Sequence, residues 1–343
     1  MKNGKEFRGK KISFLLEKYP FLTSFFEDNM IVTDGKEDQT IEQIINSMDE
    51  DEVEDKALDR DKLFESLSEY ISQMKEFLGE DENNGVRTLT ILPGKDKSGE
   101  REKFESFEIS KSEIISIVGP TGSGKSRLLA DIEWTAQDDT PTGRSIRING
   151  EVPDKKWRFS SSNKLVAQLS QNMNFVMDLT VFEFLELHAK SRMVENEKIV
   201  ISKIIEEANK LAGEKFDLNT PVTSLSGGQS RALMIADTAI LSSSPIVLID
   251  EIENAGIDRK KALELLIGEE KIVLMATHDP MLALMGDKRI VIKNGGINKL
   301  IETSEKEREI LKDLERINGT IQYLRKKLRY GEILSQGDLE KEN

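Results

Sequence analysis

The chain has 343 residues, a formal net charge of −14 and no cysteine. This length allows two ordinary domains with buried cores, and the lack of cysteine excludes disulfides, zinc sites with thiolate ligands and cysteine nucleophiles. Residues 1–85 hold 22 acidic and 11 basic side chains and so carry most of the negative charge, which argues against a broad nucleic-acid or membrane-surface footprint.

The first 85 residues are predicted to form an acidic helical extension. Apolar residues recur there at spacings of three and four, which places them on one helix face: Leu63, Leu67, Ile71, Met74 and Leu78. An acidic run at 49–55 has the composition of a solvated loop rather than of a metal cage. The stretch 79–85 has loop composition and marks the end of the extension.

Membrane-spanning and secretory segments are not predicted. The apolar run at 12–16 is too short for the core of a signal peptide, and nowhere do about 18 apolar residues follow one another. We therefore expect a cytoplasmic chain with no membrane span of its own, peripheral on the membrane at most.

From residue 86 onward, short β-branched runs alternate with helical stretches. This pattern is typical of an α/β domain with a largely parallel sheet. The runs lie at 114–118, 145–149, 246–249, 272–276 and 289–293. The first, third and fourth runs end in polar motifs, and ligands of open α/β sheets bind at the carboxyl ends of the strands.

A glycine-rich loop of sequence GPTGSGKS separates the first of these runs from a helical stretch, which is the context of a phosphate-binding P-loop. Its glycines let backbone N–H groups converge on phosphate oxygens, Lys125 reaches the β and γ phosphates, and the Ser126 hydroxyl is a ligand for Mg²⁺. The predicted nucleotide-binding residues are Gly119, Pro120, Thr121, Gly122, Ser123, Gly124, Lys125 and Ser126.

A second glycine loop, LSGGQ at 225–229, stands about a hundred residues later at the start of another helical run. Its N–H groups and the Ser226 hydroxyl form a second anion site at the positive end of a helix. One triphosphate does not need two such helix ends from one chain.

With these two motifs the chain resembles the ABC (ATP-binding cassette) ATPases over residues 86–300, and LSGGQ is that family's signature. The resemblance implies a P-loop NTPase fold of the ABC type, with a mixed sheet core and a helical signature subdomain. It also implies a homodimer formed with ATP, in which the signature residues contact the γ-phosphate bound by the other copy. Those residues are Ser226, Gly227, Gly228 and Gln229.

The run at 246–249 is followed by two acids that match the family's Walker B segment. The resemblance implies that Asp250 supports the Mg²⁺ shell and that Glu251 polarises the attacking water. This division fits phosphoryl transfer to water, which needs a metal and one oriented base rather than a covalent nucleophile.

Two further residues are assigned by the resemblance. Gln171 matches the glutamine that contacts Mg²⁺ and the catalytic water, with Gln168 as the competing choice. His278 follows the run at 272–276 and matches the switch histidine beside the γ-phosphate, whereas His188 on a helical stretch is interpreted as structural.

The chain departs from the family pattern at three places. The stretch before the P-loop lacks the aromatic residue that stacks on adenine, and Phe104 and Phe107 stand too close to the loop to replace it. Ile252 follows Glu251, where many transporter ATPases have proline. The best match to the D-loop aspartate is Asp258, one residue later than usual.

The C-terminal segment, 301–343, is predicted to be helical with a flexible end. Its apolar residues recur at spacings of four and three, close to a heptad: Ile310, Leu314, Ile317, Ile321, Leu324 and Leu328. Only about three heptads are present and Gly319 interrupts them, so packing on its own domain is favoured over a coiled-coil dimer.

Two functions fit these features. The preferred one is an ABC-type ATPase that binds and hydrolyses Mg-ATP at a dimer interface and acts on a soluble protein partner through residues 1–85. The alternative is the ATP-binding subunit of a membrane transporter whose membrane subunits are separate chains. A nucleotide sensor without turnover is disfavoured because Lys125, Asp250, Glu251 and His278 are all present.

Overall fold

The structure is a computed structural model that describes residues 7–47, 60–78, 85–154, 157–158, 164–170, 175, 177–194, 196–250 and 256–339. It divides into two compact units. Unit 1 comprises Met1–Gly85, Ser161–Asn163 and Leu179–Lys203, and unit 2 comprises Val86–Ser160, Lys164–Asp178 and Ile204–Asn343. No helix within the described residues is long and apolar enough to cross a membrane.

Unit 1 is helical. Its elements are α1 (Ile12–Lys18), α2 (Leu22–Asp28), α3 (Ile41–Asn46), α4 (Arg60–Leu78) and α6 (Val181–Ser191). The helical face predicted on α4 is buried at Leu63, Leu67 and Ile71, which pack in one cluster with aromatic side chains of α2. Tyr70 of α4 lies 5.2 Å from the ring of Phe25, so aromatic packing joins these two helices.

Unit 2 contains two sheets. The larger has the order β5-β6-β7-β3-β8-β9, in which the first five strands are parallel and β9 is antiparallel to β8. The smaller is antiparallel with the order β2-β1-β4. The strands are β1 (Thr88–Leu92), β2 (Phe107–Ser110), β3 (Ile114–Val118), β4 (Ser145–Ile148), β5 (Val166–Leu169), β6 (Ile246–Asp250), β7 (Ile272–Ala276), β8 (Lys288–Lys293) and β9 (Gly296–Glu302).

The larger sheet is apolar on both faces, as expected for parallel strands covered on two sides. Ile246 and Leu248 of β6 belong to a core shared with the smaller sheet, while Val247 and Ile249 belong to a second core on the opposite face. Helices that complete this unit are α5 (Lys125–Glu133), α7 (Glu197–Leu211, which starts in unit 1), α8 (Gly227–Ile240), α9 (Arg259–Gly268), α10 (Pro280–Met285) and α11 (Glu305–Arg329). The predicted α/β class is confirmed.

Helix α11 runs for 25 residues without a break at Gly319 and buries none of its side chains. Four residues of its apolar stripe are exposed by 42–58%: Ile310, Ile317, Ile321 and Leu328. The prediction that this stripe packs on its own domain is therefore wrong for most of its length. The helix begins in a capping box, in which Ser304 and Glu307 satisfy each other's backbone amides.

Glu307 links the start of α11 to β8. Its carboxylate accepts hydrogen bonds from the Arg289 guanidinium and from the Ser304 amide, the latter at 3.0 Å. These bonds, the one from Arg289 first, lower the pKa of Glu307 to about 2. The ionised side chain thus stabilises the folded chain above the unfolded-state pKa of about 4.3, and this contribution is lost as the pH falls towards 2.

We expect Glu307→Gln to lower the free energy of unfolding at pH 7 by about 1 kcal/mol, because it removes a charged cap and an ion pair. The difference from the parent chain should shrink between about pH 4.3 and 2, where Glu307 itself becomes protonated. Urea denaturation at pH 7, 5 and 3 measures it. Glu305→Gln is the matched control, since the Glu305 side chain is 93% exposed; an equal loss in both variants would contradict the assignment.

Candidate functional site

The P-loop joins the carboxyl end of β3 to α5, and its backbone requires glycine at three positions. Gly119 has φ of 156°, and a Cβ atom there would lie 2.5 Å from the Ile292 carbonyl oxygen. Gly122 and Gly124 have φ of 74° and 110°, in the region that favours glycine. A Cβ atom at Gly124 would also lie 2.9 Å from the Cα of Gly295, in the turn between β8 and β9. The loop therefore opens the N-terminus of α5 in the conformation expected of an anion site.

Lys125 and His278 meet at this loop although 153 positions separate them. The Lys125 ammonium donates a hydrogen bond to the Gly119 carbonyl at 3.0 Å and lies 2.9 Å from Nε2 of His278. Since an ammonium has no lone pair, it can only donate in this contact, with Nε2 as the acceptor. The contact places the predicted switch histidine beside the predicted phosphate-binding lysine.

The other predicted residues of this edge are positioned by strand order. Asp250 ends β6 and pairs with Ala276 at the end of β7, directly before Thr277 and His278. Because β6, β7 and β3 are parallel neighbours, their carboxyl ends share one edge with the P-loop. Ser126 is exposed at the start of α5. The Asp250 carboxylate and the Ser126 hydroxyl thus lie at this edge of the sheet.

Two predicted catalytic residues, Glu251 and Gln171, lie outside the described residues. The competing Gln168 is described and sits within β5, paired with Leu248 of β6 rather than at the strand's carboxyl end. Its side chain is exposed.

The signature loop forms the N-terminus of α8. Ser226 accepts a hydrogen bond from the Gln229 amide at 3.3 Å, and the Gln229 side chain accepts one from the Ser226 amide at 2.8 Å. Ser226 and Gly227 are exposed, and Gly228 is half-buried. Within the described part of the chain, no hydrogen bond joins residues 226–229 to the P-loop.

Asp258 caps α9 by accepting a hydrogen bond from the Lys261 amide at 3.2 Å, and its own amide donates to the Leu211 carbonyl. The next residue, Arg259, donates to the Asp279 carboxylate at 2.5 Å. Asp279 follows His278 and caps α10. Arg259 and Asp279 thus connect the predicted D-loop to the switch histidine. The sequence analysis did not identify this pair, although Asp279 before Pro280 is a helix-start signal.

A buried ion cluster centred on Arg144 contacts the elements that hold the P-loop. The Arg144 side chain is fully buried and donates to Asp131 of α5 at 2.8 Å and to the Glu102 carboxylate. It also donates to the Gly295 carbonyl at 3.1 Å, and the Gly295 amide donates to the Ser123 carbonyl at 2.7 Å. Arg144 therefore ties α5 and the β8–β9 turn to the phosphate-binding loop.

Neither phenylalanine near the P-loop is free to stack on a base. Phe107 is buried in the core below the smaller sheet, and Phe104 packs partly buried against the same core. A cation stands beside the loop instead: the exposed Lys97 donates from Nζ to the Gly122 carbonyl at 3.0 Å.

Comparison with known proteins gives one consistent result. The sequence profile of the family described as ABC transporter matches residues 104–254. An uncharacterised ABC transporter ATP-binding protein of Methanocaldococcus jannaschii is 53% identical over 254 residues, which cover 74% of this chain and 97% of that protein. The thiamine import ATP-binding protein of Photobacterium profundum is 33% identical over 204 residues, covering 56% of this chain and 80% of the relative.

Among solved structures, a dimeric ATP-binding cassette bound to ADP and phosphate is 24% identical, with a TM-score of 0.47. The alignment covers 63% of this chain and 99% of the chain in that structure.

We expect Arg144→Met to lower the free energy of unfolding by about 3–5 kcal/mol, because it leaves Glu102 buried without its cation and Asp131 with only the more distant Arg127, at 3.7 Å. Urea denaturation followed by circular dichroism measures the change. Arg147→Met, at an exposed position of β4, which begins directly after Arg144, is the matched control and should change stability by less than about 0.5 kcal/mol. Equal stability of the two variants would refute the role given to the cluster.

Proposed function

Because the chain belongs to the ABC family of ATP-binding proteins, we propose that it acts as one half of an ATPase pair that binds Mg-ATP between two copies. The family hydrolyses ATP to ADP and phosphate, and this chain is such a hydrolase. The observation that carries the proposal is the gathering of the P-loop, Asp250 and His278 at one sheet edge. We retain the division into an extension (1–85), a cassette (86–300) and a helical segment (301–343) as part of the proposal.

In this proposal the P-loop residues, 119–126, hold the triphosphate through the backbone and through Lys125. The Lys125 ammonium already donates a hydrogen bond to the Gly119 carbonyl. A charged phosphate oxygen is a stronger acceptor than this neutral carbonyl and would replace it. Ser126 and Asp250 would be ligands for Mg²⁺, with Gln171 as a third. This set fits the ion, because Mg²⁺ in nucleotide sites is held by one or two protein oxygens together with phosphates and water. The metal would neutralise charge that develops on the phosphates.

Hydrolysis needs one oriented water. Glu251, which comes directly after Asp250 in sequence, is assigned to accept its proton as the water oxygen attacks the γ-phosphorus and the bond to the bridging oxygen of ADP breaks. His278 lies beside Lys125 and is suited to contact the γ-phosphate. Gln171 would help to position the water.

The second half of the site is assigned to the other copy. Ser226, Gly227, Gly228 and Gln229 stand at the N-terminus of a 14-residue helix, where Ser226 and Gly227 are exposed. This end attracts anions. No described hydrogen bond connects this helix end to the P-loop of its own chain. Its exposed residues could therefore contact the ATP bound by a second copy. Asp258 would lie at the same interface.

The work driven by hydrolysis has two candidates. The names of the relatives, which are transporter ATP-binding proteins including one for thiamine import, favour an ATP-binding subunit that docks on separate membrane chains at the cytoplasmic face. Unit 1 favours a soluble protein partner bound through residues 1–85, because those residues have their own apolar core of 16 buried side chains. No base preference is assigned, since the region has no stacking aromatic.

The partner is tested by fractionation. If the chain sediments with membranes and is released from them only by detergent, its function as a transporter subunit is supported. If it stays in the supernatant and a chain lacking residues 1–85 loses a partner that the full chain captures, the soluble-partner function is correct.

We expect Glu251→Gln to keep Mg-ATP binding and to reduce turnover by about 100- to 10,000-fold, because only the proton acceptor is lost. Gel filtration with ATP should then show a dimer that persists, while phosphate release measures turnover. Glu105→Gln, an exposed carboxylate near the cassette's start, is the control for charge. A strictly monomeric Glu251→Gln chain at saturating ATP would contradict the paired site.

We expect Lys125→Ala to weaken ATP binding by about 10- to 100-fold, since a charge-assisted contact to phosphate is lost. Isothermal titration with Mg-ATP measures the dissociation constant. Lys103→Ala removes an exposed lysine from the β1–β2 connection and should bind normally. Unchanged affinity in Lys125→Ala would remove the P-loop assignment.

A further inference from the structure

A large groove lies beside α11, and the proposed function does not use it. This α11 groove has a volume of about 970 Å³, at the upper end of the range of about 300–1,000 Å³ that is typical of small-molecule sites. Its walls are α11, the methionines of α10, the end of α7 and the start of α9. The P-loop, residues 119–126, is described throughout and contributes none of the lining. The α11 groove is therefore separate from the predicted nucleotide site.

The α11 groove is cationic, although the chain as a whole has a formal net charge of −14. Its described lining includes seven lysines and arginines but only three acids. Four of these cations lie within 3.3 Å of a carboxylate oxygen: Lys210, Arg259, Lys260 and Lys261. The other three lie on α11 and form no ion pair with any residue that the structure describes: Arg325, Lys326 and Arg329.

The three cations on α11 lie close together along one side of the helix. Arg325 and Arg329 are four residues apart, and Lys326 is three residues before Arg329, so the like charges are neighbours that destabilise the helix. The helix dipole favours cations in the last turn, but it does so on every side of the helix. Lys327, which does not line the groove, is matched by Asp338 at 2.7 Å. In the last two turns of α11, the cations without an acidic partner are therefore those that line the groove.

Other parts of the lining suit a ligand that is partly apolar. Met281 and Met285 of α10 are half-buried, and Tyr330, directly after α11, is 73% exposed. An exposed aromatic ring is a surface on which a planar group can stack. The start of α9 also borders the groove, and its first backbone amides have no partner inside the helix. Amides in this position add to the attraction for an anion.

We propose that the α11 groove binds a small phosphorylated molecule whose phosphate contacts Arg325, Lys326 and Arg329. Its planar or apolar part would lie against the two methionines and Tyr330. The planar guanidinium groups can each donate two hydrogen bonds to phosphate oxygens. A phosphate ester carries a charge of about −1.5 to −2 at pH 7, so it neutralises this cluster better than a single carboxylate does. This site goes beyond the proposed ATP-bound pair, which uses the P-loop and the signature loop.

Isothermal titration with AMP tests the site in a Lys125→Ala background, which lacks the P-loop lysine. We expect AMP to bind, and Arg325→Gln combined with Arg329→Gln to weaken this binding by about tenfold or more, because charge-assisted contacts to phosphate are lost. Lys306→Gln combined with Lys312→Gln is the matched control, since it removes two exposed cations of α11 that do not line the groove. Equal weakening by the two pairs of substitutions would overturn the site.

Adenosine and ribose 5-phosphate separate the two parts of the ligand. Adenosine lacks the phosphate and should bind the Lys125→Ala chain about tenfold or more weakly than AMP does. Ribose 5-phosphate lacks the base and should also bind more weakly than AMP, with the difference removed by Tyr330→Ala. Equal binding of AMP and ribose 5-phosphate would overturn the contact with the ring and identify the phosphate alone as the group that is bound.

Circular dichroism checks that α11 persists in each variant. If neither AMP nor ribose 5-phosphate binds the Lys125→Ala chain at millimolar concentration, the phosphate site is overturned. Binding of Mg-ATP by the parent chain would be unaffected by that outcome, so the proposed function would stand.

Discussion

The buried guanidinium of Arg144 is the interaction on which the nucleotide site depends. A charge without access to water is tolerated only when it is paired and hydrogen-bonded, and all three guanidinium nitrogens of Arg144 donate to Glu102, Asp131 or the Gly295 carbonyl. Glu102 in turn accepts bonds from the amides of Gly94 and Ile297. One side chain therefore fixes the helix after the P-loop, the loop between β1 and β2, and the turn between β8 and β9.

The turn between β8 and β9 holds the P-loop by two close backbone contacts. The Gly295 amide bonds to Ser123, and the backbone of the same turn lies against Gly124. The strand edge supplies the rest, because neighbouring parallel strands carry Asp250 and His278 to the same end of the sheet. Backbone geometry and strand order therefore determine where the residues of the site lie.

Sequence patterns predicted the local features of the chain and those that strand order determines. The P-loop, the Walker B strand and the strand before His278 each have an apolar run directly before the polar residues, so the α/β pattern was enough to place them at one sheet edge. Arg144 could not be found in this way, since its partners stand 42 and 13 residues away and no spacing marks them.

For α11 the periodicity indicated an apolar face correctly, but periodicity does not say what covers a face. That depends on tertiary packing, and here the polar side of the helix faces the domain. The roles of Glu251 and Gln171 rest on sequence alone.

The β8–β9 hairpin has a structural consequence. Its turn is bonded to the P-loop through Gly295, and its far end reaches Thr303, whose amide donates to Asp287 at 2.9 Å, directly before the first turn of α11. The two strands pair in antiparallel register between these two points, with one register shift between Val291 and Ile292. The hairpin therefore connects the P-loop to the start of α11 through one continuous pair of hydrogen-bonded strands.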